Sequence, residues 1–293
     1  MRYRRRHANY RAFRERLSVP LVAVELAHGP DFELTEEDAD VLIQLRDGDI
    51  MWQKERLLNV ALGGLPTSCR KVVWVDCDIV FAAEDWADRV SALLERFMLV
   101  QAFSHVHHLS PKATPTATHG EIVFTQPSAA HAIASGMRGT NQFGRPTLRG
   151  PGSTSNGLAW AARRELLDEF GFYDACIVGG GDLAMISAAH GRFDVATRSM
   201  SDRQVDHYLD WARPYHEMVG AETSFSDGVV SHLWHGDVES RRYRGRHYGL
   251  KRFGFDPLDD IAHKADGGWR WNTAKPGLHA FVRSYFVSRN EDG

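Results

Sequence analysis

Two short apolar runs constrain the fold more than any other feature of this sequence. Residues 21–26 read Leu-Val-Ala-Val-Glu-Leu, and residues 71–75 read Lys-Val-Val-Trp-Val and lead directly into Asp76. Strands that are buried on both faces of a parallel sheet have sequences of this kind. Both runs are therefore predicted to be buried strands.

A helical pattern precedes each run. Apolar side chains recur every three or four residues over positions 3–17 and again over positions 50–61, a spacing that predicts amphipathic helices. We expect Asp49 to cap the second helix and the segment Gly63-Gly64-Leu65-Pro66 to end it. Helices that alternate with buried strands predict an α/β fold of Rossmann-like type, with a mainly parallel sheet flanked by helices in a single domain.

Length and composition fit a soluble globular domain. The chain has 293 residues, of which 43% are apolar and 25% charged, with a formal net charge of -3. That charge gives no overall attraction to nucleic acid. Three cysteines exclude a disulfide framework, and no apolar run approaches the roughly 20 residues that span a membrane. We therefore expect a cytoplasmic protein with no nucleic-acid partner and no transmembrane segment.

The segment Asp76-Cys77-Asp78 is the first candidate for chemistry. It follows an apolar strand, and residues two apart along a strand point the same way, so both carboxylates can reach one cation. Ligands of open α/β sheets bind at the carboxyl ends of strands. The alternative is that Asp76 caps a turn while Asp78 is solvated. The context favours a divalent metal site.

Two glycine-rich segments follow later in the chain. Residues 135–155 contain five glycines and are predicted to be a functional loop or lid. Residues 179–181 are three consecutive glycines that precede Asp182; such a run lets the backbone approach a bound group closely. We expect Asp182 to face an acceptor hydroxyl, with a simple helix N-cap as the alternative.

A pair of histidines, His232 and His235, forms the third candidate. Imidazole is a ligand for Mn²⁺-like ions, and a histidine from late in the chain can complete a site that two carboxylates begin. Packing in the core is the alternative for either side chain. We favour His235 for the metal because Gly236 allows a tight backbone turn beside it.

In this order, the motifs resemble the GT-A glycosyltransferases, particularly their family-2-like and galactosyltransferase-like bacterial members. The matching segments read WQKERLLN, WVDCDI, NGLAW, GGGD and HLWHG, and they cover residues 52–59, 74–79, 156–160, 179–182 and 232–236. The resemblance spans most of the chain. It implies one GT-A domain over residues 1–293, with a nucleotide-sugar-binding half at 1–104 and an acceptor-side half at 105–293.

The resemblance also implies roles for individual residues. Asp76 and Asp78, with His235 or His232, would hold Mn²⁺ or Mg²⁺ on the diphosphate of a UDP- or GDP-sugar. Asp182 would take the proton of the acceptor, a saccharide or another hydroxyl compound. The residues that would contact the donor are Glu25, Gln53, Lys54, Asp76 and Trp160, although a tryptophan in an α/β chain is more often part of the core than a stacking platform.

Two other functions stay open, and one departure from the family pattern favours the first of them. GT-A enzymes usually open with a strand and a loop that grip the nucleotide, whereas this sequence opens with the helix that should follow them. The first alternative is a catalytically inactive transferase-fold module that binds a sugar or a partner. The second is a metal-dependent phosphohydrolase, which would need two metals about 3.5–4 Å apart and so more paired carboxylates than this sequence places near Asp76.

Overall fold

The fold is described by a computed structural model, which covers residues 3–113, 121–137, 153–236, 245–264, 266–289 and 292. Helices and strands alternate along these residues, which confirms the α/β class. The helices are α1 Arg4–Glu15, α2 Lys54–Gly64, α3 Trp86–Leu93, α4 Ala129–Ala134, α5 Arg164–Phe170, α6 Gly181–Ala189, α7 Phe193–Thr197, α8 Asp202–Val219, α9 Gly245–Arg252, α10 Pro257–Asp260 and α11 Pro276–Val287. The strands are β1 Val22–Leu26, β2 Val41–Leu45, β3 Lys71–Val75, β4 Ile79–Phe81, β5 Leu99–Gln101, β6 His105–Leu109, β7 Ile122–Pro127, β8 Ala159–Arg163, β9 Thr223–Phe225, β10 Val229–His232, β11 Ile261–Ala262 and β12 Arg270–Trp271.

The described strands pair in four sheets. The central sheet has the order β3-β8-β5-β9, the second sheet has the order β4-β10-β6-β7, and β1-β2 and β11-β12 form two-stranded sheets. Only the pairs β1-β2, β5-β9 and β6-β10 are parallel. The expectation of a single, mainly parallel sheet is therefore wrong. Strand β8 enters between β3 and β5 and is antiparallel to both, and β6 and β7, which are close in sequence, also pair antiparallel.

Helices cover both faces of the central sheet. In β5, Leu99 belongs to one buried apolar cluster, with Trp160, Ile186 and Tyr208, whereas the next residue, Val100, belongs to a second cluster. Side chains of a strand alternate between the faces of its sheet, so the two clusters are the two sides of the sheet. The predicted layering, a sheet flanked by helices, is thus present although the strand directions are mixed.

The two apolar runs of the sequence are both strands, but they are not equally buried. In β3, Val72 and Trp74 are buried. Every residue of β1, in contrast, is only partly buried, so the prediction of burial on both faces is wrong for this strand. The reason is that β1 pairs with β2 alone among the described strands, and its other edge lines a cavity.

The N-terminal helices are found where the sequence places them, with different ends. Helix α1 buries Tyr10 and Phe13 as expected from their spacing. Helix α2 begins at Lys54 with Gln53 at the N-cap position, so the prediction that Asp49 caps it is wrong. The Asp49 carboxylate instead accepts a 2.7 Å hydrogen bond from the backbone N–H of Trp271, which ties the start of this helix to the C-terminal region.

Both four-stranded sheets combine strands from either side of residue 104. Strands β3 and β5 of the central sheet precede that position, and β8 and β9 follow it; in the second sheet, only β4 precedes it. The two proposed halves are therefore interleaved in space, and their separate functions stay predictions. Within the described part of the chain, no helix has the length and apolarity to cross a membrane.

Candidate metal centre

The turn after β3 positions Asp78. The backbone N–H of Asp76 donates to the carbonyl of Leu158 over 2.7 Å, which extends the pairing of β3 with β8 by one residue. The chain then turns, with the N–H of Ile79 donating to the Asp76 carbonyl over 3.3 Å, and β4 starts at Ile79. Asp78 is thus fixed between two strands, and its side chain is buried.

Sheet register brings His232 to Asp78. His232 is the last residue of β10, where it lies opposite Ile79 in β4 and His108 in β6. The N–H of Leu233 donates to the Asp78 carbonyl over 2.8 Å, which continues this pairing past the strand end. The Nε2 atom of His232 lies 3.8 Å from Oδ1 of Asp78.

A turn after β10 brings His235 to the same carboxylate. Its Nε2 atom lies 2.9 Å from Oδ2 of Asp78, and the imidazole is almost fully buried. The next residue, Gly236, has φ of 92°, a left-handed conformation that glycine adopts without steric cost. This is the turn that the sequence suggested for His235, and both histidines lie close to the Asp76-Cys77-Asp78 segment as predicted.

Asp78, His232 and His235 have the geometry of a metal site. One ligand atom of each lies within 4.8 Å of the others. Ligands that are about 2.0–2.2 Å from one ion are roughly 3–3.5 Å apart, so only a small contraction is needed. Oδ1 of Asp78 is buried and has no hydrogen-bond partner among the described residues, a costly arrangement that a cation would relieve. The three side chains therefore fit a divalent ion.

Electrostatics keep the Asp78 carboxyl ionised. Burial alone raises a carboxyl pKa, but the imidazoles of His235 and His232 and the guanidinium of Arg6 outweigh burial and hold the pKa of Asp78 well below its usual value. A metal ligand must be deprotonated. The site thus presents its carboxylate in the form that binds a cation.

Asp76 does not join this cluster and instead pairs with Lys54. The Lys54 ammonium lies 2.6 Å from Oδ1 of Asp76 and 3.2 Å from Oδ1 of Asp182, so it bridges the two carboxylates. Burial opposes the charged form of Lys54, but Asp182 and Asp76 raise its pKa well above the usual value. Burial also raises the pKa of Asp76, with Lys54 acting against it. The role of Asp76 on a metal stays a prediction.

Glycine backbone lies close to the Asp182 side chain. Gly180 is the N-cap of α6, and no side-chain hydrogen bond from the described residues caps this helix, so Asp182 is not its N-cap. Gly179 and Gly180 have φ of 85° and 105°, which explains glycine at both positions. A Cβ atom on Gly157 would lie 2.5 Å from Oδ2 of Asp182. Asp182 lines the same large cavity as Asp76 and Asp78.

Three of the predicted donor contacts have structural partners. The Glu25 carboxylate accepts hydrogen bonds from the N–H of Leu34 and from Gln44, although it also lines the cavity. The Gln53 amide is buried and exchanges hydrogen bonds with the backbone of Trp269. Trp160 has no exposed surface, and its indole N–H donates to the Asn156 carbonyl over 2.8 Å. Its burial supports the core alternative.

Arg56 lies away from the cavity, and the predicted lid lies largely outside the described residues. The Arg56 guanidinium is buried and donates to the carbonyl of Gly267 over 2.8 Å, away from the cavity. The predicted lid falls largely on residues 138–152, which lie outside the described residues.

Two groups at the site were missed as individual residues. Glu55 follows Lys54 at the start of α2 and is buried, and burial raises its pKa to about 8. Arg6 lies close enough to Asp78 to lower its pKa. The sequence shows Arg6 only as part of a basic N-terminus, and a charged residue in the first turn of a helix is ordinary. For neither residue does the neighbouring sequence indicate where its side chain lies in the fold.

Comparisons with known proteins do not place the chain in a family. No protein-family model matches the sequence, and no curated protein matches it with significance.

Proposed function

We propose that this chain is a metal-dependent glycosyltransferase of the GT-A type, which moves a sugar from a nucleotide sugar to an acceptor hydroxyl. The observation that carries the proposal is the buried triad of Asp78, His232 and His235 at the carboxyl end of β3. Asp182 and Lys54 line the same cavity as the triad. The cavity therefore combines a cation site with a carboxylate suited to proton transfer.

The triad would supply three ligands to a divalent ion, and diphosphate oxygens would supply further ones. Two imidazoles favour Mn²⁺ over Mg²⁺, which prefers oxygen ligands. A bound ion would stabilise the negative charge that develops on the departing nucleoside diphosphate. Arg6, which also lines the cavity, would add a second positive charge beside Asp78 for the same diphosphate.

Asp182 is the residue that supports acceptor chemistry. Its carboxylate lies at the cavity wall, held by Lys54 at 3.2 Å. The glycines before it remove the side chains that would separate this wall from a sugar ring. As the acceptor oxygen bonds to the anomeric carbon, an ionised Asp182 can accept the hydroxyl proton, while the bond between that carbon and the diphosphate breaks.

The described residues give less support to a two-metal phosphohydrolase. They contain one cluster of three metal-ligating side chains, and the nearest further carboxylate of the motif, Asp76, is paired with Lys54. A second ion about 3.5–4 Å away would need ligands of its own. The inactive binding module has the same site geometry, so it differs from the enzyme in turnover alone.

Titration calorimetry tests the proposal. Mn²⁺, Mg²⁺ and Fe²⁺ are titrated first, because two histidines and one carboxylate also suit ferrous iron; UDP and GDP follow with the bound metal. We expect Mn²⁺-dependent binding of one nucleotide, and its loss in Asp78→Ala but not in the matched variant of an exposed aspartate on α8, Asp206→Ala.

Sugar release and transfer are then measured with UDP- and GDP-sugars. Nucleotide binding that does not need the metal would count against the proposal. Metal-dependent binding of nucleotide sugar without any release or transfer of the sugar would identify the inactive module.

A further inference from the structure

A cavity of about 2160 Å³ separates β1 from β3. Pockets for small ligands measure roughly 300–1,000 Å³, so this one exceeds what a substrate needs. All five residues of β1 and of β3 line it. No described backbone hydrogen bond joins the two strands. We call the part of the cavity between them the strand slot.

Helix α2 shows that β1 and β3 run in the same direction. At the start of α2, Lys54 contacts Asp76 at the carboxyl end of β3. The preceding residue, Gln53, lies beside Gly268, and Gly268 also lies beside Leu26 at the carboxyl end of β1. At the end of α2, Gly64 approaches Val22, the first residue of β1.

The amino end of β3 lies at the same end of α2. The Arg164 side chain donates to the carbonyl of Leu62, and the Arg164 backbone N–H donates to the carbonyl of Arg70, just before β3. Both strands are thus antiparallel to α2 and parallel to each other.

Backbone groups of both strands point into the slot. In β1, the N–H of Ala27 donates to β2, and successive residues of a strand direct their N–H and C=O groups to opposite edges. The N–H and C=O groups of β1 that point toward β3 are therefore those of Val22, Val24 and Leu26. In β3, the N–H of Asp76 donates toward β8, so Val73 and Val75 direct their groups toward β1. Unpaired backbone groups of this kind invite another strand.

Apolar side chains line both faces of the slot. Leu57, Leu58 and Ala61 of α2 line one side, and Phe13 of α1 and Val90 of α3 line the cavity as well. A polar ligand would lose hydrogen bonds to water in such a setting and would regain few of them from apolar side chains. An extended apolar backbone, in contrast, would satisfy both strand edges while its side chains pack against the helices.

We propose that the strand slot binds an extended apolar polypeptide segment, which pairs with β1 on one side and with β3 on the other. None of the undescribed stretches of this sequence has that composition, because they contain no two consecutive apolar residues apart from glycine and proline. The proposed occupant is a segment of a partner polypeptide. The proposal is independent of the glycosyltransferase function, because it uses the strand edges and not the metal triad.

A displayed library of random nonapeptides, selected against the full chain, tests this proposal. We expect enriched peptides to be apolar and free of proline. Val24→Pro removes one N–H that points into the slot and spares the β1-β2 pairing, so it should weaken these peptides about tenfold. The matched control is Leu42→Pro, which removes an N–H on the outer edge of β2 and should leave binding unchanged.

Hydrogen exchange on the wild-type chain gives a second readout that needs no variant. Bound peptide should slow exchange at Val22–Leu26 and at Lys71–Val75 together. Val73→Pro provides an equivalent test from β3 if Val24→Pro does not fold. The proposal is overturned if selection enriches no peptide, if peptides bind Val24→Pro as well as the wild type, or if protection appears at only one strand or at the outer edge of β2.

Discussion

The Nε2 atom of His235 lies 2.9 Å from Oδ2 of Asp78, and both side chains are buried. One residue follows the third strand of the chain and the other follows the tenth. The contact therefore joins parts that are far apart in sequence, and it exists only when the second sheet has formed. Its most direct consequence concerns metal binding.

Replacing His235 should remove Mn²⁺ binding. Loss of a residue that only supports a ligand costs about 10–100-fold in metal affinity, so His235→Ala, which removes a ligand itself, should cost at least about a hundredfold. His263→Ala, at an exposed histidine, is the control and should bind normally. Calorimetric titration with Mn²⁺ measures both. Equal affinity in the two variants would exclude His235 as a ligand.

Lys54→Gln should destabilise the fold, because Asp76 and Asp182 would then face each other without their shared cation. Breaking a fully buried pair costs roughly 3–5 kcal/mol, and partial solvent access lowers the expected loss to about 2 kcal/mol. The loss should shrink at acid pH, because protonation of Asp76, whose pKa is raised by burial, removes one of the two facing charges. Urea unfolding at several pH values measures it, with exposed Lys264→Gln as control. A pH-independent loss would refute the carboxylate repulsion.

Glu55 should make stability depend on pH. Burial raises its folded-state pKa to about 8 from 4.5, so its protonated form is favoured in the folded state. The contribution of this pKa shift to the free energy of unfolding is fully present below about pH 4.5 and is lost progressively as pH rises to about 8. Glu55→Gln should therefore gain a few kcal/mol relative to wild type between these limits. Urea unfolding measures the difference, and a constant difference across this range would contradict the assignment.

Gly181→Ala should be destabilising, since its Cβ atom would lie 2.2 Å from the Glu55 carboxylate. Overpacking of this kind costs typically 1–3 kcal/mol. Gly63→Ala is the matched control: Gly63 also lies in a helix, and a Cβ atom there meets nothing within 4 Å, so the change should stabilise by about 0.4–1 kcal/mol. Thermal unfolding compares the two. Similar shifts in both would mean that Glu55 moves aside without cost.

Asp182→Asn should separate catalysis from donor binding. A general base contributes about a hundredfold to ten-thousandfold, so turnover should fall by that factor, which corresponds to roughly 3–5 kcal/mol of barrier. Donor affinity should stay close to that of wild type. Initial rates and calorimetry on the same preparation measure both. Near-normal transfer would remove Asp182 from the chemistry, and loss of donor binding would assign it to the nucleotide site.

Local patterns predicted the elements of this fold better than their partners. The apolar runs at β1 and β3 and the spacing of Tyr10 and Phe13 in α1 all identified real strands and a real helix. Pairing depends on contacts between distant residues, which a local pattern does not contain. This is why the antiparallel entry of β8 between β3 and β5 was not predicted.

The same limit applies to the site. The proximity of His232 and His235 to the Asp76-Cys77-Asp78 segment followed from motif order, and Gly236 correctly suggested a turn. The separation of the Asp76 and Asp78 side chains was not predicted, because a turn follows β3 and the regular alternation of side chains along a strand ends there. The burial of Glu55 was also hidden, since it results from Gly181, which approaches from a different element.

The triad also has a consequence for synthesis of the protein. Asp78 emerges from the ribosome long before His235, and each residue alone is a weak ligand. On the proposed function, a growing chain would therefore gain its affinity for the ion in one step, after β10 and the turn behind it are complete. Because metal binding contributes directly to folding free energy in such sites, the ion would fasten the late strand onto the early one.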